Sequence, residues 1–84
     1  MKSFTTRRFW KTYERLDEAT KRQAREAYKL FEKDPAHPGL YFEKKHTSGN
    51  VYSVRINLDF RALGIRDGEE IVWFWIGPTT STIR

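Results

Sequence analysis

Cysteine is absent from all 84 residues, so neither a disulfide nor a thiolate metal site is possible. The two histidines, His37 and His46, have no cluster of carboxylates around them in the chain, which argues against a bound metal. Long apolar runs are also missing. Nothing approaches the ~18 consecutive apolar residues of a membrane span, and the N-terminus lacks the apolar stretch of a secretory signal. A reducing, cytoplasmic setting without membrane contact is therefore expected. Proline is scarce, three residues in all, and two of them, Pro35 and Pro38, stand beside Gly39 in one short stretch.

What the chain does have is aromatic and basic. Three Trp, four Tyr and six Phe make up 15% of it, and they must supply the core of a single domain over residues 1–84, too few for two domains. The mean hydropathy of −0.77 leaves the rest strongly solvated. Net charge is +5, and ten of the sixteen Lys and Arg fall within the first 34 residues. Such a field suits an anionic partner such as a nucleic acid. It equally suits two well-solvated helices.

Residues 1–5 read as a short edge strand or a frayed tail. From Thr6 the pattern turns helical, with Phe9, Tyr13 and Leu16 on one face and Arg7, Arg8, Lys11, Glu14 and Arg15 around it. Asp17 is placed to cap a second helix over residues 18–31, whose apolar face is Ala24, Ala27, Tyr28, Leu30 and Phe31. The Pro35-Ala36-His37-Pro38-Gly39 segment ends it. Strands come next: one over residues 40–45, then a Gly-Asn turn signal, then residues 51–76 as three strands joined by two hairpins. The expected fold is α+β, a helical hairpin packed on one face of a twisted antiparallel β-sheet.

Register decides which side chains share a face. Asp67-Gly68 reads as a two-residue turn that pairs Arg66 with Glu69 and puts Phe60, Ala62, Gly64, Ile71, Trp73 and Trp75 against the helices. For the preceding turn, a two-residue loop would drive Arg61 into the core, where an unpaired charge costs several kcal/mol. A three-residue loop at 57–59 avoids this by pairing Arg55 with Arg61 and sending Tyr52, Val54, Ile56, Phe60 and Ala62 inward. The outer face then carries Ser53, Arg55, Arg61, Leu63, Val72, Phe74 and Ile76. Arg55 and Arg61 become the candidate phosphate-binding pair, with Phe74 beside Arg61 as a stacking surface. The alternative is that Asp59 or a nearby Glu locks either arginine in an ordinary ion pair. Lys44, Lys45 and His46, at the end of the first strand of the sheet, are candidates to reach the same site, and His46 has the pKa for proton transfer. His37, between two prolines, reads as a loop residue.

The run Tyr52-Ser53-Val54-Arg55, the segment Phe60-Arg61-Ala62-Leu63-Gly64, the closing Val72-Trp73-Phe74-Trp75-Ile76-Gly77 and the Leu30 to Pro35 helix end resemble the RelE/ParE superfamily of bacterial toxins. The likeness covers nearly the whole chain. It implies the toxin half of a type II toxin–antitoxin pair, held inactive by a cognate antitoxin, with the outer apolar residues Leu63, Val72, Phe74 and Ile76 as a docking patch. RelE-like members cut messenger RNA on the ribosome; ParE-like members share the fold and poison DNA gyrase. The first of these implies an endoribonuclease without metal or cofactor, in which Arg55 and Arg61 match basic site positions on the central strands. Joined to the residues read above, the candidate catalytic residues are Arg55, Arg61, Lys45 and His46, and the candidate RNA contacts Lys44, Ser53, Phe74 and Arg84. The sequence departs from the pattern in two places. Ser53 stands where relatives often carry lysine, and after Gly77 the tail Pro78-Thr79-Thr80-Ser81-Thr82-Ile83-Arg84 brings no general acid or base. A non-catalytic gyrase inhibitor, and a decayed toxin that only binds its antitoxin, therefore remain as alternatives.

Overall fold

The computed structural model describes residues 1–45 and 49–81. Seven elements run in order: β1 (Lys2–Thr5), α1 (Arg7–Glu14), α2 (Glu18–Lys33), β2 (Glu43–Lys44), β3 (Val51–Arg55), β4 (Phe60–Asp67) and β5 (Glu70–Pro78), with 3-10 turns at Pro38–Leu40 and Thr79–Ser81. The five strands form one sheet in the order β1-β5-β4-β3-β2. All neighbours run antiparallel except β1, which lies parallel to β5. Residues 1–5 thus resolve as an edge strand.

Local chemistry explains the helix limits. Thr6 Oγ1 accepts the Phe9 N–H at 3.1 Å and opens α1, while Asp17 Oδ1 accepts the Thr20 N–H at 2.7 Å and opens α2. Hydrogen bonding from the Thr20 side chain, and then from its N–H, holds the Asp17 carboxyl below the usual carboxylate range. Ala24 and Phe31 of α2 are buried on the sheet. Phe31 meets Phe42 and Trp73 edge-on, with centroids 5.0 and 5.3 Å apart. Val54, Ala62, Ile71 and Ile76 complete the buried layer, and Phe9, Tyr13, Tyr52, Ile56 and Phe60 pack against it. Gly64 is required here, because a Cβ at that position would fall 2.7 Å from Trp73 Cε3.

The first hairpin has the expected register. Arg55 pairs with Arg61 and Val54 with Ala62. Asn57 Oδ1 accepts the N–H groups of Asp59 (2.8 Å) and Phe60 (2.9 Å), which stiffens the three-residue loop, and its Nδ2 donates to Gln23 Oε1 of α2 at 2.7 Å.

The second hairpin differs from expectation in two ways. Its loop is Gly68-Glu69, with Asp67 opposite Glu70. Of these two loop residues only Gly68 has a positive φ, +61°, and a loop of type II′ asks for that only at its first position, whereas the expected type I′ turn needs it at both. Further along, Gly64 faces Trp73 but Leu63 faces Trp75, so Phe74 is an extra residue in a β-bulge. The bulge exchanges the faces of the residues beyond it. Ile76, expected outside, is 2% exposed in the core, and Trp75, expected inside, moves to the opposite face. The cause lies at the sheet edge: β1 ends opposite Trp73, and α1 takes over the β5 margin, where Thr12 Oγ1 accepts the Ile76 N–H at 3.1 Å.

Candidate functional site

Arg55 at the end of β3 and Arg61 near the start of β4 are directly opposed, so both side chains leave the sheet on one side. It is the side that carries no helix. Among the described residues the ion pairs are those of Lys21 with Glu14 (3.4 Å) and Glu18 (3.7 Å), and neither arginine has a carboxylate partner. The alternative of a fold-locking pair with Asp59 or a Glu therefore does not apply among these residues. Two like charges stand in register without compensation, an arrangement that is mildly destabilising until an anion lies between them.

Tyr41 supplies the neighbour that Arg55 does have. The Arg55 guanidinium carbon lies 4.1 Å from the centre of the Tyr41 ring, and Arg55 Nε is buried without a hydrogen-bond partner. Tyr41 follows the 3-10 turn in which Leu40 is buried in the core and His37 Nδ1 accepts the Gly39 N–H at 3.1 Å. His37 is thus a turn-capping loop residue. Tyr41 itself adopts φ 47° and ψ 47° and is the one described non-glycine residue with positive φ. A tyrosine there costs on the order of 1–2 kcal/mol.

A groove of about 680 Å³ runs between α1 and the β5 end of the sheet, with Arg8 and Arg15 on one wall and Leu63, Phe74 and Trp75 on the other. The Trp75 indole lies over Gly77, where a Cβ would come within 2.4 Å of Trp75 Cζ2. Gly77 is the residue opposite Arg61. So the aromatic surface next to Arg61 belongs to Trp75, and Phe74, expected there, sits on the bulge and lines the groove instead. A second hollow of about 750 Å³, lined by Phe4, Trp10, Tyr13, Arg25 and Tyr28, is mainly apolar. Burial and Glu32 hold the Tyr28 hydroxyl above its ordinary pKa, so it stays protonated at neutrality.

No family model matches the sequence, and no curated protein sequence matches it. Solved structures do. YafQ from E. coli strain BL21(DE3) aligns over 98% of this chain and 97% of its own, with TM-score 0.77 at 9% identity. The RelE–RelB complex from Pyrococcus horikoshii OT3 gives TM-score 0.70 at 18% identity, covering 92% of each chain. The YoeB/ParE toxin from Agrobacterium tumefaciens gives 0.68 at 20% identity, covering 90% of this chain and 95% of its own. The chain has the RelE/ParE toxin fold.

Within that fold the expected site residues separate. Arg55 and Arg61 are together. Ser53 shares their face but is 2% exposed, shut off from any ligand. Lys44 pairs with Tyr52 and so stands on the helix side of the sheet. The Lys45 N–H bonds Val51 O at 2.8 Å, and Val51 is four residues from Arg55 along β3, about 13 Å at the usual strand rise. The structure therefore does not bring either lysine to the arginine pair. His46 and Arg84 lie outside the described residues.

Three residues outside the expected set join the pair instead. Tyr41 and Trp75 supply flat surfaces. Glu43 pairs with Ser53 and is exposed, which sets its Cα diagonal to Arg55, about 7–8 Å away. Chemically, two guanidinium forks can clamp phosphate oxygens and stabilise charge that builds up on phosphorus. Glu43 is a carboxylate within side-chain range of the same spot.

Proposed function

We propose that this chain is the toxin of a type II toxin–antitoxin pair and that it cuts messenger RNA held on the ribosome. The reading rests on one observation: Arg55 and Arg61 face each other without a countercharge on the helix-free side of a RelE/ParE fold. In the reaction the 2′-hydroxyl attacks the adjacent phosphorus and the bond to the 5′ oxygen breaks. Cyclic phosphate remains on one fragment and a 5′-hydroxyl on the other. Arg55 and Arg61 stabilise the pentacoordinate phosphorus by charge-assisted hydrogen bonds. Glu43 accepts the 2′-hydroxyl proton, and solvent or the ribosome protonates the leaving oxygen. Arg8 and Arg15 contact flanking phosphates, and Trp75 stacks on a base, worth ~1–3 kcal/mol.

Several structures of this fold, such as the DinJ–YafQ toxin–antitoxin complex of E. coli, hold a toxin with its antitoxin. On that likeness a cognate antitoxin is the expected partner, and the cytoplasm the place of action. The test is incubation with programmed ribosomes and mapping of message ends. Cutting by the wild type and none by Arg61→Ala supports the proposal; intact message, or equal cutting by the variant, ends it.

One observation favours a second reading. The residues from Pro78 to Arg84 include neither histidine nor tyrosine, and a non-catalytic inhibitor of DNA gyrase needs no proton-transfer group. Gyrase supercoiling in the presence of the protein separates the two.

A further inference from the structure

We infer that Tyr41 is a positioning residue for Arg55, holding the guanidinium plane toward Arg61 and the scissile phosphate without neutralising its charge. The inference rests on the reading of Arg55 and Arg61 as a phosphate clamp. A guanidinium in a protein is ordinarily oriented by a carboxylate, and that partner would compete with phosphate for the same N–H groups. Among the described residues Arg55 has no such partner. It has instead a ring whose centre is 4.1 Å from its central carbon. Stacking engages the flat face of the fork and leaves the N–H edge free for phosphate oxygens.

Two further facts fit this role. Arg55 Nε is buried and has no hydrogen-bond partner, so no acceptor among the described residues orients the fork through that atom. Tyr41 is held in the left-handed region at φ 47° although it is 52% exposed. The Tyr41 N–H donates to Pro38 O at 3.2 Å, so the left-handed backbone closes the 3-10 turn and in doing so carries the exposed ring over Arg55.

The left-handed backbone also provides a clean test. Glycine is at ease there, so Tyr41→Gly removes the ring while relieving the chain, and its melting temperature should be no lower than that of the wild type. Two readouts distinguish the roles. The first is affinity for a 2′-O-methyl trinucleotide, which cannot be cleaved, by fluorescence anisotropy; it reports on the clamp even if the wild type cuts no message. Tyr41→Phe should stay within about twofold of wild type and Tyr41→Gly should fall about tenfold, the range expected for loss of a cation–ring contact. The second is the Arg55 Nε–H resonance in ¹H–¹⁵N spectra, which should be displaced by the ring and protected from exchange in the wild type and in Tyr41→Phe, and neither in Tyr41→Gly. Where the ribosome assay is positive, kcat should fall with affinity in Tyr41→Gly. Unchanged trinucleotide affinity in Tyr41→Gly overturns the inference, as does an unmoved Nε–H resonance. So does a loss in Tyr41→Phe as large as that in Tyr41→Gly, since the hydroxyl would then be the active group. Failure of the ribosome assay alone removes the nuclease reading and leaves the clamp and its stacking partner standing.

Discussion

Replacing Arg61 with methionine should make the protein more stable and less able to bind anions. Arg61 faces Arg55 across the hairpin and has no ion pair among the described residues. Opposed like charges on neighbouring strands are unfavourable by ~0.2–1 kcal/mol, and methionine keeps most of the side-chain volume that covers the sheet. A gain of about 0.5 kcal/mol corresponds to a rise of roughly 2–4 °C in the melting temperature of a domain of this size. Salt offers an internal control, because screening relieves the repulsion in the wild type and has nothing to relieve in the variant. Sulfate or a short oligophosphate should act in the opposite sense. An anion at ten times its Kd stabilises the wild type by about 1.4 kcal/mol, and the variant should lose most of that. Thermal melts at low and moderate salt, with and without the anion, give all four values. A variant that melts several degrees lower than the wild type would show that Arg61 is part of the structural framework and would refute the argument.

Other consequences concern the scaffold. Gly64→Ala sets a methyl group 2.7 Å from Trp73 Cε3 and 2.9 Å from Ile71 Cγ1, so urea unfolding should register a loss of ~1–3 kcal/mol with a change in tryptophan emission. Thr12→Val removes the acceptor for the Ile76 N–H, which should cost ~1–2 kcal/mol and speed hydrogen exchange at that amide. For Asp17, the native carboxyl pKa lies below the unfolded value of 3.8. Its contribution is therefore complete above the unfolded pKa and is lost as the pH falls through the lower native one. Asp17→Asn keeps a capping side chain that does not titrate, so urea midpoints between about pH 6 and about pH 2.5 should fall less steeply in the variant.

The pairing of Arg55 with Arg61 was legible in the sequence because one physical penalty, a buried unpaired charge, rejects the competing loop. The helix cap at Asp17 and the helix-ending Pro35 to Gly39 segment were legible because their causes are local. The bulge at Phe74 was not. It depends on where β1 runs out and on which α1 hydroxyl meets Ile76, and both are contacts between residues far apart in the chain. That is why Trp75 and Ile76 exchanged faces and why the aromatic beside Arg61 was assigned to Phe74. The second hairpin shifted because Asp67-Gly68 permits glycine to be either the first or the second loop residue. Tyr41 left no mark in the sequence, since nothing in residue type announces a left-handed tyrosine. Glu43 was missed because the loop before β3 does not specify how β2 pairs.

The parallel contact of β1 with β5 bears on how the protein is made. Lys2 donates its N–H to Glu69 O at 2.8 Å, and the start of α1 is tied to Trp73 through the Thr6 N–H. The first strand thus has no partner until the last one has been synthesised, although the helical hairpin and the β3–β4 hairpin can form from local contacts alone. Closing the sheet is a long-range event, slow by comparison and late by necessity. Trp75, Gly77 and the groove wall along α1 come into being only at that step. On the proposed function, a chain whose β5 has not yet been laid down carries two paired arginines but no finished groove.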